Sequence, residues 1–95
     1  MRAAPLIRER IVYPDGSLVE MVVWRVPRPV APSTHSFKYR FAYVVAGERV
    51  LGYDNERGKG DHRHDGPRER PFQFTSIDEL LARFVAEVAQ LRREA

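Results

Sequence analysis

The chain has 95 residues and no cysteine, and carries 16 Lys and Arg against 13 Asp and Glu, a formal net charge of +3. That length makes one domain, residues 1–95, and buries only about 60 to 65 per cent of its unfolded surface, so a partner or a homodimer would add useful stability. The missing cysteine excludes disulfides and thiolate metal ligation, and no apolar run reaches signal-peptide or membrane-span length, so a cytoplasmic protein without membrane contact is expected.

From Leu6 to Val26 the pattern is that of a β-hairpin, with the turn at Pro14-Asp15-Gly16. Proline presets φ, aspartate bonds the backbone ahead of it, and glycine takes the left-handed position. Leu18, Val22, Trp24 and Val26 fall on one face and Val19, Met21 and Val23 on the other, which suits a central strand. Three prolines in PRPVAPS bar Pro27–Ser33 from a sheet interior and make it a surface connector.

A second hairpin runs from about His35 to Tyr53, turning at Gly47. Phe37, Tyr39, Phe41 and Tyr43 recur at period two. They have the character of a base-stacking platform, but a small sheet needs one apolar face for its helix, and core packing is the stronger reading. Lys38 and Arg40, on the opposite face, are then free to meet a phosphate backbone.

Tyr53 to Asp65, YDNERGKGDHRHD, concentrates polar chemistry, and no aliphatic or aromatic hydrophobe follows until Phe72. The expectation is a long exposed loop. Gly58 and Gly60 flank Lys59 and permit positive φ and close approach of another molecule. His62 and His64 share one side of an extended backbone, with Asp61 and Arg63 on the other. Three readings fit. In phosphodiester cleavage one imidazole takes a ribose 2′-OH proton, another acid protonates the leaving oxygen, and Lys59 or Arg63 stabilises the phosphorane. A metal site on His62 and His64 with Asp61 or Asp65 is short of ligands. A solvated loop without chemistry is the bland alternative. Residues 56–70 hold five Lys or Arg against four Asp or Glu, a pattern of specific contacts more than a basic sink. With a pI of about 9.7, nucleic acid remains an admissible partner.

Phe72 and Phe74 return the chain to the core, and Ser76 to Glu79 reads as a capping box. Ile77, Leu80, Leu81, Phe84, Val88 and Leu91 then form the buried stripe of a C-terminal helix. Asp78, Arg83, Glu87 and Gln90 are expected outside, and Arg92 and Arg93 suit the helix C-terminus. His35 is expected to be a satisfied or solvated histidine, and Asp54 and Asn55 can terminate a strand through side-chain bonds. The fold expected is α+β: an antiparallel sheet of about four strands in two hairpins, with one helix across one face.

The run YDNERGKGDHRH, the aromatic strand FKYRFAYVV before it and PFQFTSIDELLARFVAEV after it resemble the TumE family of toxins from two-component toxin-antitoxin systems. The likeness runs from Phe37 to Val88 and is sharpest at Tyr53-Asp54-Asn55, Gly58-Lys59-Gly60 and His62-Arg63-His64. It implies a cytoplasmic toxin with a cognate helix-turn-helix antitoxin. The leading expectation is a metal-independent, cofactor-free endoribonuclease: His62 and His64 as acid and base, Lys59 and Arg63 on the phosphate, and Tyr53, Asn55, Gly58, Gly60, Asp61, Lys38 and Arg40 around an RNA substrate. The alternative is a binding module that uses the same basic loop to hold nucleic acid or protein without reaction.

Overall fold

The computed structural model describes residues 2–95. Six strands, β1 (Ala4–Val12), β2 (Leu18–Arg25), β3 (Phe37–Val45), β4 (Glu48–Glu56), β5 (Gly60–Asp65) and β6 (Arg68–Pro71), precede one helix, α1 (Ile77–Glu94). They form a single antiparallel sheet in sequence order. The α+β class and the C-terminal helix agree with the sequence, but the sheet has six strands where about four were expected. The difference lies in the polar stretch, which is a hairpin and not a loop. Its strands need no apolar alternation because Asp61, Arg63 and Asp65 find polar or ionic partners on one face and His62 and His64 find theirs, the Gly60 carbonyl and Asp54, on the other.

The helix covers one face. Val19, Met21 and Val23 of β2, Tyr39, Phe41 and Tyr43 of β3, and Leu51 and Tyr53 of β4 pack there with Leu80, Phe84 and Val88 of α1. The aromatic ladder is thus core, with Phe41 and Phe84 rings 5.4 Å apart. Ser76 caps the helix, its hydroxyl accepting from the Glu79 amide at 3.1 Å. Leu91, expected in the core, is 36% exposed. Glu87, expected outside, turns toward the sheet.

Two local features shape the other face. The turn Ala46-Gly47 has positive φ at both residues, as a tight hairpin requires. Just beyond it a register shift leaves Val44 paired with Arg49 while Tyr43 pairs with Leu51. This bulge re-aims Arg49 onto the face without a helix. The connector is not merely superficial: Ser33 is buried, and the Gly58 amide donates to the Ala31 carbonyl at 2.8 Å.

Candidate active site

Cross-strand pairing sets two rows on the uncovered face. Val22, Arg40, Asp54, His62 and Pro71 lie side by side across β2 to β6, and Glu20, Ala42, Gly52, His64 and Glu69 form the next row. Ala42 and Gly52 make a shallow floor beside His64. Arg49 lies across that floor, since a Cβ on Gly52 would come within 2.8 Å of Arg49 Cδ. Its guanidinium then reaches His64, Nη2 lying 2.9 Å from Nδ1. An arginine only donates, so His64 Nδ1 accepts, and its Nε2–H donates to Asp54 Oδ1 at 3.1 Å. The second oxygen of Asp54 lies 4.0 Å from Arg49 Nη1. Asp54, His64 and Arg49 thus form a closed triangle, and His64 is buried within it.

His62 has the complementary arrangement. Its Nδ1 lies 3.1 Å from the Gly60 carbonyl, an acceptor only, so Nδ1 carries a hydrogen and in the neutral ring Nε2 has the lone pair. Glu69 Oε1 stands 3.9 Å from that nitrogen. Successive residues on one face of a strand are about 7 Å apart, enough to place a phosphate between the two rings. Lys59 is exposed at the turn, 3.4 Å from Glu69 and 3.7 Å from Glu56. Arg40 is also exposed, with Glu20 at 3.9 Å as its ion-pair partner among the described residues. The Lys38 ammonium donates to the Asn55 carbonyl.

The other expected site residues lie elsewhere. Arg63 faces the helix, where Nε and Nη2 hold Asp65 and Nη1 holds Glu87 at 2.5 Å and the Tyr53 hydroxyl. Burial works against its charge, yet the bonds to Asp65 and Glu87 hold its pKa above the ordinary value. The bond from Arg63 likewise lowers the Asp65 carboxyl. Tyr53 is fully buried and its hydroxyl, pushed up to about 12 mainly by burial and then by the bond to Glu87, donates to that carboxylate. The Arg63 guanidinium is thus committed to tying β5 to α1, on the far side of the sheet from His62 and His64.

Asp61 also lies on the helix side. Its Oδ1 accepts from His35 Nε2 at 2.8 Å and from the Tyr39 hydroxyl at 2.6 Å, and its Oδ2 accepts from Ser33 at 3.1 Å. His35 is a satisfied histidine, stacked on Phe74 with centroids 3.8 Å apart. Asn55 is fully buried, accepting from the Tyr39 amide at 3.0 Å and donating to the Phe37 carbonyl at 2.7 Å. The neighbour that closely approaches Gly60 is the chain's own Pro32, whose Cγ would stand 3.1 Å from a Cβ there. Asp61 and Asp65 therefore cannot join His62 and His64 around a metal, and no group of three potential ligands occurs among the described residues.

Three members of the site escaped sequence reasoning as such. Asp54 was read as a strand terminator, and Arg49 and Glu69 were not singled out. The signal for Arg49 was available in Gly52, a glycine inside a strand, which marks close approach of another group.

The family model described as Toxin TumE matches residues 2–92. The chain belongs to the TumE toxin family. The match takes in the N-terminal third, where the likeness read from residues was weak. No curated protein and no solved structure matches the chain. For a TumE toxin an antitoxin partner is implied, and no helix among the described residues is long and apolar enough to cross a membrane.

Proposed function

We propose that this TumE toxin is a metal-independent endoribonuclease whose site is the uncovered sheet face around His62 and His64. The observation that carries this reading is the pairing of unlike imidazoles: His62, whose Nδ1 donates to the Gly60 carbonyl so that Nε2 is the basic nitrogen of the neutral ring, and His64, backed by the Asp54 carboxylate. His62 acts as the base, taking the 2′-OH proton as the 2′ oxygen attacks phosphorus. Arg49 shifts from His64 to the phosphate and, with Arg40, balances the charge of the phosphorane. Once released, Nδ1 takes a proton from water; the resulting His64 imidazolium, with Asp54 as countercharge, gives that proton to the 5′ oxygen as the P–O5′ bond breaks, and His62 returns the proton it took to solvent. The products are a 2′,3′-cyclic phosphate and a 5′-hydroxyl. Lys38 and Lys59 hold flanking phosphates.

The cytoplasm is the compartment in which such a toxin meets RNA. Its antitoxin, of the helix-turn-helix class, blocks the reaction by laying an acidic or extended segment over Lys59 to His64, where it would compete for the same cations.

A second reading has one observation in its favour. Both ring nitrogens of His64 are engaged, as in a histidine kept for structure, so the same face would serve a binding module without chemistry. His62→Ala and His64→Ala separate the two. Loss of cleavage with RNA affinity held within about threefold, well under 1 kcal/mol, supports the nuclease. Equal loss of affinity and cleavage supports the module.

A further inference from the structure

Asp78, Arg83 and Gln90 of α1 are exposed as expected, but beside them lies a stripe that is mostly apolar. With Glu87 drawn in to Arg63, one exposed stripe at helical spacing runs through Asp78, Ala82, Val85, Ala86, Ala89 and Arg93, flanked on one side by the exposed Glu79, Arg83 and Gln90. Beside them an apolar groove runs between the helix and the first hairpin, walled by Ile11, Tyr13 and Met21 opposite Val85, Val88 and Ala89. Val85 is 56% exposed and Ile11 43%. β1 is an edge strand that the helix does not cover, which leaves this groove open.

We propose that a second copy of the chain occupies this face, with α1 lying antiparallel on the partner's α1 about a two-fold axis between Val85 and Ala86. The charge pattern selects a second copy. The first turn of α1 is acidic at Asp78 and Glu79 and its last turn is basic at Arg92 and Arg93. On the outer stripe of the helix Asp78 and Arg93 stand at opposite ends, so an antiparallel copy meets opposite charge at both, while the groove beside it is lined by charge at Arg92 and Arg93 alone. In that register Val85 faces the partner's Ala86, Ala82 faces the partner's Ala89 and Asp78 faces the partner's Arg93, each contact occurring twice. Alanines at the crossing allow an interaxial distance near the lower end of about 8–10 Å. Antiparallel alignment also opposes the two helix dipoles favourably. Ile11 and Tyr13 extend the contact beyond the helices. A contact between one helix and one strand edge on each copy is small for a specific interface, so the dimer is expected to dissociate in the micromolar range. The sheet face that carries His62 and His64 stays uncovered on both copies, because it is the side away from the helix.

Sedimentation equilibrium on the isolated full chain tests this across a concentration series. Twice the 11.0 kDa chain mass is expected at the upper concentrations. Asp78→Arg and Arg93→Asp should each raise the dissociation constant about tenfold, since each reverses two contacts. An equimolar mixture of these two variants should recover wild-type affinity, because every opposed pair is then complementary again. Val85→Asp, at an exposed position where the fold is not at stake, should leave a monomer with an unchanged circular dichroism spectrum. A wild-type monomer at every concentration overturns the proposal, including one whose groove is covered only when an antitoxin is added. A dimer that survives Val85→Asp overturns it too, as does a mixture no tighter than its components.

Discussion

Glu87→Ala probes the tie between the helix and the second half of the sheet. In the native chain this carboxylate accepts from Arg63 Nη1 and from the Tyr53 hydroxyl. Its removal strands a buried phenol proton and one arm of a guanidinium. A hydrogen bond to a charged group contributes about 1.5–3 kcal/mol, and breaking a fully buried ion pair costs about 3–5 kcal/mol. The Arg63 and Glu87 side chains are 16% and 29% exposed, so water partly replaces the lost partner and the lower range applies. The expected loss is about 2–3 kcal/mol, and at about 4–8 °C per kcal/mol for a domain of this size Tm falls by about 10–20 °C. Urea unfolding followed by far-UV circular dichroism reads this directly, with m unchanged. A cycle with Arg63→Met should give a coupling above about 1 kcal/mol. A loss below about 0.5 kcal/mol, the range of ordinary surface positions, would refute the assignment of Arg63 and Glu87 to this tie.

Gly60→Ala should cost about 1–3 kcal/mol, because the left-handed φ of 77° is strained for alanine and its Cβ presses on Pro32. Gly58→Ala, with φ of 86° but open space, isolates the strain, so equal losses in denaturant melts would remove Pro32 from the explanation. Gly52→Ala should displace Arg49 from His64 and lower RNA cleavage at least about tenfold at a stability cost of about 1 kcal/mol; unchanged cleavage would mean that Arg49 is not needed where it lies. Alkaline pH should destabilise the fold. Tyr53 stays protonated to about 12 in the folded chain, whereas in the unfolded chain it ionises near about 10. Its contribution is therefore complete below about pH 10 and is lost as pH rises toward the folded value. Urea midpoints of Tyr53→Phe should show a flatter fall over that window, and identical pH profiles would exclude Tyr53 as a cause. Lys59→Glu should weaken the antitoxin complex in calorimetry, and hydrogen exchange confined to Ile77–Leu91 on complex formation would show that the antitoxin does not occlude the site.

The apolar part of the fold was legible because the hairpins around Asp15 and Gly47 have period-two hydrophobicity and turn chemistry, and α1 has a cap and an apolar stripe. β5 and β6 were not. Their alternation is of charge, with Asp61, Arg63 and Asp65 against His62 and His64, and hydrophobic periodicity is blind to it. What makes the segment a strand is the tertiary partners: Glu87 from the helix for Arg63, and His35, Tyr39 and Ser33 for Asp61. Arg63 was expected on the phosphate, and the side of the strand opposite the histidines, also legible in the sequence, is where its guanidinium meets Asp65, Glu87 and Tyr53. The alternation that set His62 and His64 together was read correctly, yet the cations beside them, Arg49 and Arg40, come from other strands. Arg49 depends on a bulge, and its one local mark is Gly52 inside the strand.

The most direct test of the proposed reaction is digestion of RNA by the purified chain in excess chelator, with the ends of the products analysed. A new 2′,3′-cyclic phosphate paired with a 5′-hydroxyl, lost in both His62→Ala and His64→Ala but retained in Arg63→Met at a temperature where that variant is folded, is the expected result. Cleavage that stops when metal is removed, products ending in 5′-phosphate, or activity that needs the Arg63 guanidinium but neither histidine would contradict it.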